Sequence, residues 1–268
     1  MKITTLVENL VYTSGLKAEH GLSMHIQTPQ ASILFDTGQS DMFLHNAVKL
    51  NIDIASVDYL ILSHGHYDHT GGLYHFLQHN SKALVYCKRN VFNPKTHTDG
   101  RNIGTPYIAE LLHDRIRYVD TIIEIVPHVF LCPEIIIHNT IDTHFKGLQV
   151  QVANEVCEDS FTDELFVVVE QAHTISILTA CSHRGITNIC KTAIEQFSKP
   201  IQTLIGGFHT KDADELQYSF IKNYCNEYPV EKIAVCHCTG VDHYARMFCD
   251  IDSHVVYNHT GKKFNIKV

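Results

Sequence analysis

The segment that most constrains this chain is His64-Gly65-His66-Tyr67-Asp68-His69, which places four metal-ligand side chains within six positions. It directly follows the apolar run Val57 to Ser63, a pattern typical of a buried strand. Gly71-Gly72 and the apolar residues Leu73, Phe76 and Leu77 come next and indicate the start of a helix. The sequence therefore predicts a ligand-bearing loop between a strand and a helix.

Imidazole nitrogens and a carboxylate oxygen together suit a borderline divalent ion of the first transition row. We expect one or two such ions, with zinc preferred and manganese or iron as alternatives. The chain holds 20 histidines in 268 residues, so chance clustering in a polar loop is the competing interpretation. The strand-to-helix context favours a metal site, because metal motifs depend on that context.

Three later histidines share this context, since each follows an apolar strand pattern. His183 follows residues 175–182, His209 follows residues 204–208, and His237 follows residues 233–236. Ligands at strand ends from distant parts of a chain can converge on one rim of a sheet, where the scaffold is rigid. We expect these histidines to complete a distributed site with the first cluster.

Strand and helix patterns alternate through most of the chain and predict an α/β fold with two sheets packed face to face and helices outside. We expect a single domain over residues 1–268, with an insertion or lid at about 88–118 that is more polar and rich in turn signals. Further predictions are a helix at 41–50 capped by Ser40 or Asp41, a helix at 212–224, a strand at 134–138 and a short helix near 107–113.

Composition disfavours several classes of protein. The formal net charge of −8 disfavours nucleic-acid binding, which depends on clustered Lys and Arg. No apolar stretch is long enough to span a bilayer, and no signal-peptide pattern precedes the first strand, so we expect a cytoplasmic protein without a membrane partner. Nine scattered cysteines indicate buried thiols rather than a disulfide framework. The expected partner is a small-molecule substrate, and a homo-oligomer remains open.

The segment HGHYDH resembles the HxHxDH signature of the metallo-β-lactamase superfamily, whose fold is a four-layer αββα sandwich with a one- or two-metal site. One branch of that superfamily includes proteins described as dihydropterin ribofuranosylaminobenzene phosphate synthases, and others described only as metal-dependent hydrolases. Further segments resemble this branch, namely Ala18 to Ser23, Leu34 to Gly38, Ala180 to Ile186, Gly206 to His209 and Cys236 to Gly240.

The resemblance implies that His64 and His66 bind one metal ion, while Asp68 and His69 bind a second or orient a water. It further implies that His183 and His237 are ligands. His209 is a ligand, a proton donor or a substrate-binding group, or a structural histidine at a strand end. Cys181 stands where the superfamily usually has a bridging Asp, and it either binds metal as thiolate or simply packs beneath the site.

Other residues are expected near the site without binding metal. Asp36 ends a strand and is expected to fix the tautomer of a ligand histidine. Glu19 and His20 lie near the site by resemblance, or form a structural turn. Arg184 is the favoured phosphate-binding cation because it follows His183, ahead of the other candidates Lys88, Arg89, Lys95, Arg101 and Lys211.

Three functions fit these features. The first is a metal-dependent hydrolase of a phosphoester, lactone or similar small molecule, with Asp68 orienting or deprotonating water and His209 as acid. The second, implied by the branch, is a pterin-type transferase in which carbon attack displaces diphosphate. The third is a noncatalytic metal-binding sensor. Neither GxxxxGK nor GxGxxG occurs, which disfavours nucleotide-triphosphate and dinucleotide binding.

Overall fold

The structure is a computed structural model that describes residues 1–112 and 114–268. In chain order its strands are β1 Lys2–Val7, β2 Ser23–Gln27, β3 Ser32–Phe35, β4 Tyr59–Ile61, β5 Leu84–Cys87, β6 Lys95–His97, β7 Ile116–Tyr118, β8 Ile123–Val126, β9 Val129–Cys132, β10 Leu148–Val152, β11 Glu155–Glu158, β12 Phe166–Glu170, β13 Ile175–Leu178, β14 Ile201–Gly206, β15 Lys232–Val235, β16 His254–Tyr257 and β17 Lys263–Asn265. Its α-helices are α1 Met42–Lys49, α2 Tyr67–Thr70, α3 Leu73–His79, α4 Ala109–Leu112, α5 Ile186–Phe197, α6 Glu215–Glu227 and α7 Val241–Asp250.

The chain divides into two compact units. Unit 1 comprises Met1–Asp120, Phe145–Glu164 and His259–Ile266, and unit 2 comprises Thr121–His144, Leu165–Asn258 and Lys267–Val268. Each unit has a seven-stranded sheet of its own. The predicted α/β class is therefore present in each unit separately.

The sheet of unit 1 has the order β17-β1-β2-β3-β4-β5-β7. Pairing is antiparallel from β17 to β3 and parallel from β3 to β7. Its core includes Leu34, Phe43, Leu60 and Phe76, all fully buried. The apolar side chains of α1 and α3 pack in this core together with those of β3 and β4.

The sheet of unit 2 has the order β16-β15-β14-β13-β12-β9-β8. The strands β13 to β16 are parallel, with α5, α6 and α7 as the connections between them, and β8, β9 and β12 are antiparallel additions. The strands β12 and β13 are almost wholly buried, which agrees with their continuous apolar sequences. Four parallel strands, β13 to β16, therefore end at a common edge of this sheet.

A small antiparallel sheet, β11-β10-β6, also belongs to unit 1. Around it lies a satellite cluster of Ile103, Leu148 and Phe161. This sheet was not predicted: β11 is exposed along its whole length and shows no alternation, and the alternating apolar and polar residues of β10 were overlooked.

Several predicted elements are confirmed with small shifts. The helix predicted at 41–50 is α1, and Ser40 supplies the capping oxygen, which accepts from the Met42 amide at 3.1 Å. The helix predicted at 212–224 is α6, which begins later because the Asp214 side chain accepts from the Gln217 amide at 2.9 Å.

The strand predicted at 134–138 is wrong. This segment has no strand partner, and its backbone amides bond to side chains of α5 instead. Ile136 donates to the Thr192 hydroxyl at 3.0 Å, and His138 donates to the Asn188 side chain at 3.0 Å. Strand propensity does not report side-chain acceptors on a distant helix. Here those acceptors bond to the backbone amides that a neighbouring strand would otherwise pair with.

The predicted insertion at 88–118 contains β6, α4 and β7 within unit 1. The helix predicted near 107–113 is observed as α4, while His113 lies outside the described residues. The single-domain boundary and the lid role stay predictions. Among the described helices, none is long and apolar enough to cross a membrane.

Candidate metal centre

The first ligand group, which we define as His64, His66, Asp68 and His69, lies in unit 1 between β4 and the end of α2. The His64 and His66 rings are 4.8 Å apart by their centroids, and the His64 and His69 rings are 4.4 Å apart. His64 and His69 are fully buried, and His66 and Asp68 nearly so. The structure therefore brings three imidazoles and a carboxylate together from one short segment.

Asp36 orients this group from the end of β3. One carboxylate oxygen accepts from the His69 Nδ1 at 2.8 Å and from the Ser63 hydroxyl at 2.6 Å. Because Ser63 gives its only hydroxyl proton to Asp36, its oxygen accepts from His64 Nδ1 at 2.9 Å. In both histidines the proton then sits on Nδ1, and Nε2 carries the lone pair that a metal requires.

Burial is the main cause that holds the pKa of His64 well below its ordinary value, and the neighbouring His69 and His66 add to the effect. A lowered pKa keeps this imidazole neutral near pH 7. Neutral imidazole is the form that binds metal ions. The lowered pKa of His64 therefore agrees with the neutral tautomer, protonated at Nδ1, that its hydrogen bond to Ser63 selects.

His20 and Glu19 have different environments. The His20 Nε2 is 3.2 Å from a carboxylate oxygen of Asp68, and the His20 side chain is about half exposed. Glu19 instead accepts from the Ser40 hydroxyl at 2.5 Å and from the Ser40 amide at 3.2 Å, which organises the start of α1. The structure thus places His20 beside the first ligand group and Glu19 in a structural turn.

A buried ion pair lies under the loop that carries His64 and His66. The Lys95 ammonium is 2.7 Å from Asp159 and 3.2 Å from Asp163, and all three side chains are almost fully buried. Asp163 also accepts from the Gly65 amide at 2.8 Å. Burial disfavours the charge on Lys95, but the two carboxylates outweigh burial and raise its pKa. The prediction that Lys95 binds a phosphate is wrong, because its charge is neutralised inside the protein.

Gly65 is required by this close packing. A Cβ atom at Gly65 would lie 2.0 Å from the Val91 carbonyl oxygen and 2.7 Å from the Lys95 Cε. The Phe161 ring packs on the other side of the group, 5.2 Å from the His66 ring. The sequence contains Gly65 between the two histidines of the motif, but the residues that pack against it lie in distant segments of the chain.

The polar segment after β6 lies against α2. The Tyr67 amide donates to the Ile103 carbonyl at 2.8 Å, and the hydroxyls of Thr70 and Thr105 are 2.6 Å apart. Part of the predicted insertion therefore supports the first ligand group directly. Arg89, another predicted phosphate binder, pairs with Asp120 at 2.9 Å.

The second ligand group, which we define as Cys181, His183, His209, His237 and Cys238, lies in unit 2. Its members follow the parallel strands β13, β14 and β15. The ligand atoms of Cys181, His183 and His209 lie within 4.8 Å of one another, and so do those of Cys181, His237 and Cys238. The structure therefore brings together all of the unit 2 histidines predicted as ligands, and Cys181 lies between them.

Hydrogen bonds lock the three loops of the second ligand group together. The Gly207 amide donates to the Ala180 carbonyl at 2.8 Å, and the Ser182 hydroxyl donates to the Gly207 carbonyl at 2.7 Å. The Phe208 amide donates to the Thr239 hydroxyl at 3.0 Å. The loops of β13, β14 and β15 are thus one hydrogen-bonded framework.

Left-handed backbone conformations occur at several of these positions. His209 has φ of 50° and His237 has φ of 52°, and in unit 1 Asp36 has φ of 58°. This region disfavours residues with a Cβ, and such residues cluster at functional sites where the surroundings hold them in place. The strain supports a functional role for the strand ends, and no sequence pattern reveals it.

His144 has no motif context in the sequence, but it contacts the second ligand group. Its ring centroid is 4.8 Å from that of His209, and its carbonyl accepts from His183 Nδ1 at 3.3 Å. The His183 proton therefore sits on Nδ1, as in the first group. Burial, then His209, lowers the pKa of His144 to about 3. The sequence carries no signal for this contact.

The Arg184 guanidinium bonds to the backbone of unit 2. Its Nη2 donates to the Ile135 carbonyl at 3.1 Å and its Nε to the same oxygen at 3.3 Å. The guanidinium thus fixes the irregular segment that was predicted as a strand. Phosphate binding by Arg184 stays a prediction.

The donor set fits a first-row divalent ion. Imidazoles, the Asp68 carboxylate and two thiols are ligands for borderline ions, whereas magnesium and calcium require mainly oxygen. Within unit 1 the candidates are His64, His66, Asp68 and His69. Within unit 2 they are Cys181, His183, His209, His237 and Cys238.

Comparison with known proteins agrees with this chemistry. Residues 17–131 match the family model of the Metallo-beta-lactamase superfamily. The chain is also 31% identical over 258 residues to 7,8-dihydropterin-6-methyl-4-(beta-D-ribofuranosyl)-aminobenzene-5'-phosphate synthase of Methanocaldococcus jannaschii, covering 90% of this chain and 88% of that protein. The chain belongs to the metallo-β-lactamase superfamily.

Two solved structures extend the comparison. The crystal structure of Tm1679, a metal-dependent hydrolase of the beta-lactamase superfamily, has a TM-score of 0.89 and 30% identity, with 100% of each chain covered. The metallo-beta-lactamase fold protein YhfI from Bacillus subtilis has a TM-score of 0.57 at 13% identity and covers 98% of both chains, which shows the fold alone. The predicted fold class and the predicted resemblance are confirmed.

Proposed function

We propose that this protein is a metal-dependent hydrolase that acts on a small molecule, with phosphoesters and lactones as the first substrates to test. The observation that carries the proposal is the tautomer of the first ligand group. Asp36 and Ser63 hold the Nδ1 protons of His69 and His64, so each imidazole presents its Nε2 lone pair. Buried imidazoles prepared in this way are typical of metal ligands.

The residues of the first ligand group have distinct roles in this proposal. The imidazoles of His64, His66 and His69 bind metal, and zinc is the preferred ion. A bound first-row ion lowers the pKa of a coordinated water and stabilises negative charge that develops on the substrate. Asp68 orients the attacking water and accepts its proton, and His20, 3.2 Å from Asp68, steadies that carboxylate.

In the second ligand group, His183 and His237 are proposed as ligands. His209 is proposed as the group that protonates the leaving oxygen. Its ring is half-buried, and the His183 and His144 rings lie 4.3 and 4.8 Å away. A histidine held between two other rings keeps a fixed orientation, which an acid catalyst requires.

A second candidate function is a synthase of the kind named for the Methanocaldococcus jannaschii relative. The observation that favours it is 31% identity across 90% of this chain. The name of Tm1679, a metal-dependent hydrolase, supports the first candidate at 30% identity. Both functions require bound metal, so substrate assays must separate them.

The test combines metal analysis with turnover. The purified chain is assayed by mass spectrometry for zinc, manganese and iron, then for hydrolysis of phosphomonoester, phosphodiester and lactone panels, and for the pterin synthase reaction. We expect stoichiometric zinc and hydrolysis of at least one panel substrate. His64→Ala should bind less zinc than the wild type and lose turnover, while His79→Ala, an exposed histidine on α3, should change neither.

Each other outcome has a defined meaning. A chain that retains no metal would contradict the proposal. Bound metal with synthase turnover alone would support the second candidate. Bound metal without turnover on any substrate would instead support the noncatalytic sensor that the sequence analysis left open.

A further inference from the structure

Sulfur sits at the centre of the second ligand group. The Sγ atoms of Cys181 and Cys238 and a ring nitrogen of His237 all lie within 4.8 Å of one another, and the three side chains are buried. Cys181 follows β13, whereas His237 and Cys238 follow β15. Two thiols and one imidazole from separate loops therefore meet inside unit 2.

The fold leaves a space for the Cys238 sulfur. A Cβ atom at Gly207 would lie 2.4 Å from this Sγ, so a side chain at Gly207 would occupy the same volume. The backbone of Cys238 is fixed as well, because its carbonyl accepts from the Lys211 amide at 3.1 Å. His237 is held in the left-handed conformation with φ of 52°. The space at Gly207 and the fixed backbone of His237 and Cys238 together position the Cys238 sulfur near Cys181.

We propose that Cys181, His237 and Cys238 form a Cys2His ligand set for a zinc ion, so that Cys238 is a metal ligand. Each thiol gives its proton to solvent as its sulfur binds the metal, and no oxidant or reductant takes part. Neighbouring donors in a tetrahedral zinc site are separated by roughly 3 to 4 Å, so small side-chain rotations bring these atoms into range. The inference deepens the proposed function, on which it rests.

A Cys2His set leaves one position of a tetrahedral ion for another ligand, as catalytic zinc sites do. Thiolates also change the choice of metal, because sulfur favours zinc over manganese and magnesium. The ligand set therefore predicts that the wild-type chain selects zinc, whereas the chain without both sulfurs discriminates less between zinc and manganese.

Cobalt substitution of the full chain tests the ligand set. Thiolate bound to Co²⁺ gives a charge-transfer absorption in the near ultraviolet that imidazole and carboxylate do not give. We expect this band in the wild type, about half of its intensity in Cys181→Ser and in Cys238→Ser, and none in the double variant. Cys236→Ser is the matched control, since Cys236 adjoins the same loop and is buried, and it should keep the full band.

A second measurement avoids dependence on folded variants. X-ray absorption at the zinc edge of the wild type should show sulfur scatterers at about 2.3 Å. Cobalt bound without a charge-transfer band, or a Cys238→Ser variant with the full band, would overturn the inference and leave the proposed function intact. A wild-type chain that binds neither cobalt nor zinc would overturn both.

Discussion

The two ligand groups show two ways to build a metal-binding surface. In unit 1 the ligands come from one continuous segment, and side-chain carboxylates orient them from outside. In unit 2 the ligands come from three loops at parallel strand ends, and backbone groups and hydroxyls fix them. The first group contains only nitrogen and oxygen donors, whereas the second group also contains sulfur.

The difference in support predicts a difference in sensitivity. A carboxylate such as Asp36 raises the basicity of the histidine it holds, and a substitution removes that effect directly. The carbonyl of His144, which holds His183, persists whatever the side chain is. Substitution of a side chain that holds a histidine of the first group should therefore weaken metal binding, whereas substitution of a side chain that joins the loops of the second group should mainly lower stability.

The largest expected effect is on turnover within the first group. Asp68→Asn should lower kcat by about a thousandfold, because the amide cannot accept the proton of the attacking water. Circular dichroism should show an unchanged fold. Asp58→Asn, which removes a partly exposed pair with Lys82, is the control and should keep full activity. A loss of less than tenfold in Asp68→Asn would contradict the assigned role.

The next effect concerns the ion pair beneath the first group. Lys95→Met should lower the free energy of unfolding by about 3 to 5 kcal/mol, because Asp159 and Asp163 would remain buried without their cation. Urea denaturation followed by circular dichroism measures the change. Lys82→Met, at the surface, should be nearly neutral. If both variants behave alike, the first group does not depend on buried charge.

The substitution Asp36→Asn tests how Asp36 orients His69 without disturbing the backbone conformation of residue 36. Asparagine tolerates the left-handed conformation at this position, where φ is 58°, so the change removes charge and acceptor capacity without adding strain. We expect zinc affinity to fall by about 10- to 100-fold, as for other residues that orient metal-binding histidines. Isothermal titration against chelator-buffered zinc gives the value. Asp53→Asn, which alters only an exposed cap, should bind zinc normally.

The smallest effect belongs to the framework of the second group. Ser182→Ala removes the hydroxyl that donates to the Gly207 carbonyl at 2.7 Å, which should lower unfolding free energy by about 1 kcal/mol. Zinc affinity should change far less than in Asp36→Asn. The same titration and denaturation experiments measure both. If Ser182→Ala lost more zinc affinity than Asp36→Asn, the expected difference in sensitivity between the two ligand groups would be wrong.

Sequence-based prediction succeeded for elements that depend on neighbouring residues and failed for elements that depend on distant ones. The helix α1 and the strand before HGHYDH are set by local apolar spacing, so their prediction was close. The segment 134–138 has a strand-like composition, but acceptors on α5 took its backbone hydrogen bonds. The strand β10 alternates apolar and polar residues but was not assigned, and its partner β11 is exposed along its whole length and gives no such signal.

The candidate site divides in the same way. The sequence predicted one motif that contains His64, His66, Asp68 and His69. It also predicted three histidines at strand ends, namely His183, His209 and His237. Their joint role stays a prediction, as do the metal identity, the cytoplasmic location and the oligomeric state. Cys238, His144, Lys95 and Asp163 were missed as contributors. Cys238 adjoins His237 in the chain, but its approach to Cys181 depends on the fold, and the other three come from segments distant from the ligand loops that they support.

The sequence by itself determined the superfamily, the ligand types and the strand ends that carry them. These features depend on residues adjacent in the chain, whose chemistry and periodicity are fixed before folding. Only the tertiary structure decided the tautomers of His64 and His69, the burial of Lys95 and the approach of Cys238 to Cys181. Each of these depends on hydrogen bonds or packing between segments that are distant in sequence, which no local pattern encodes.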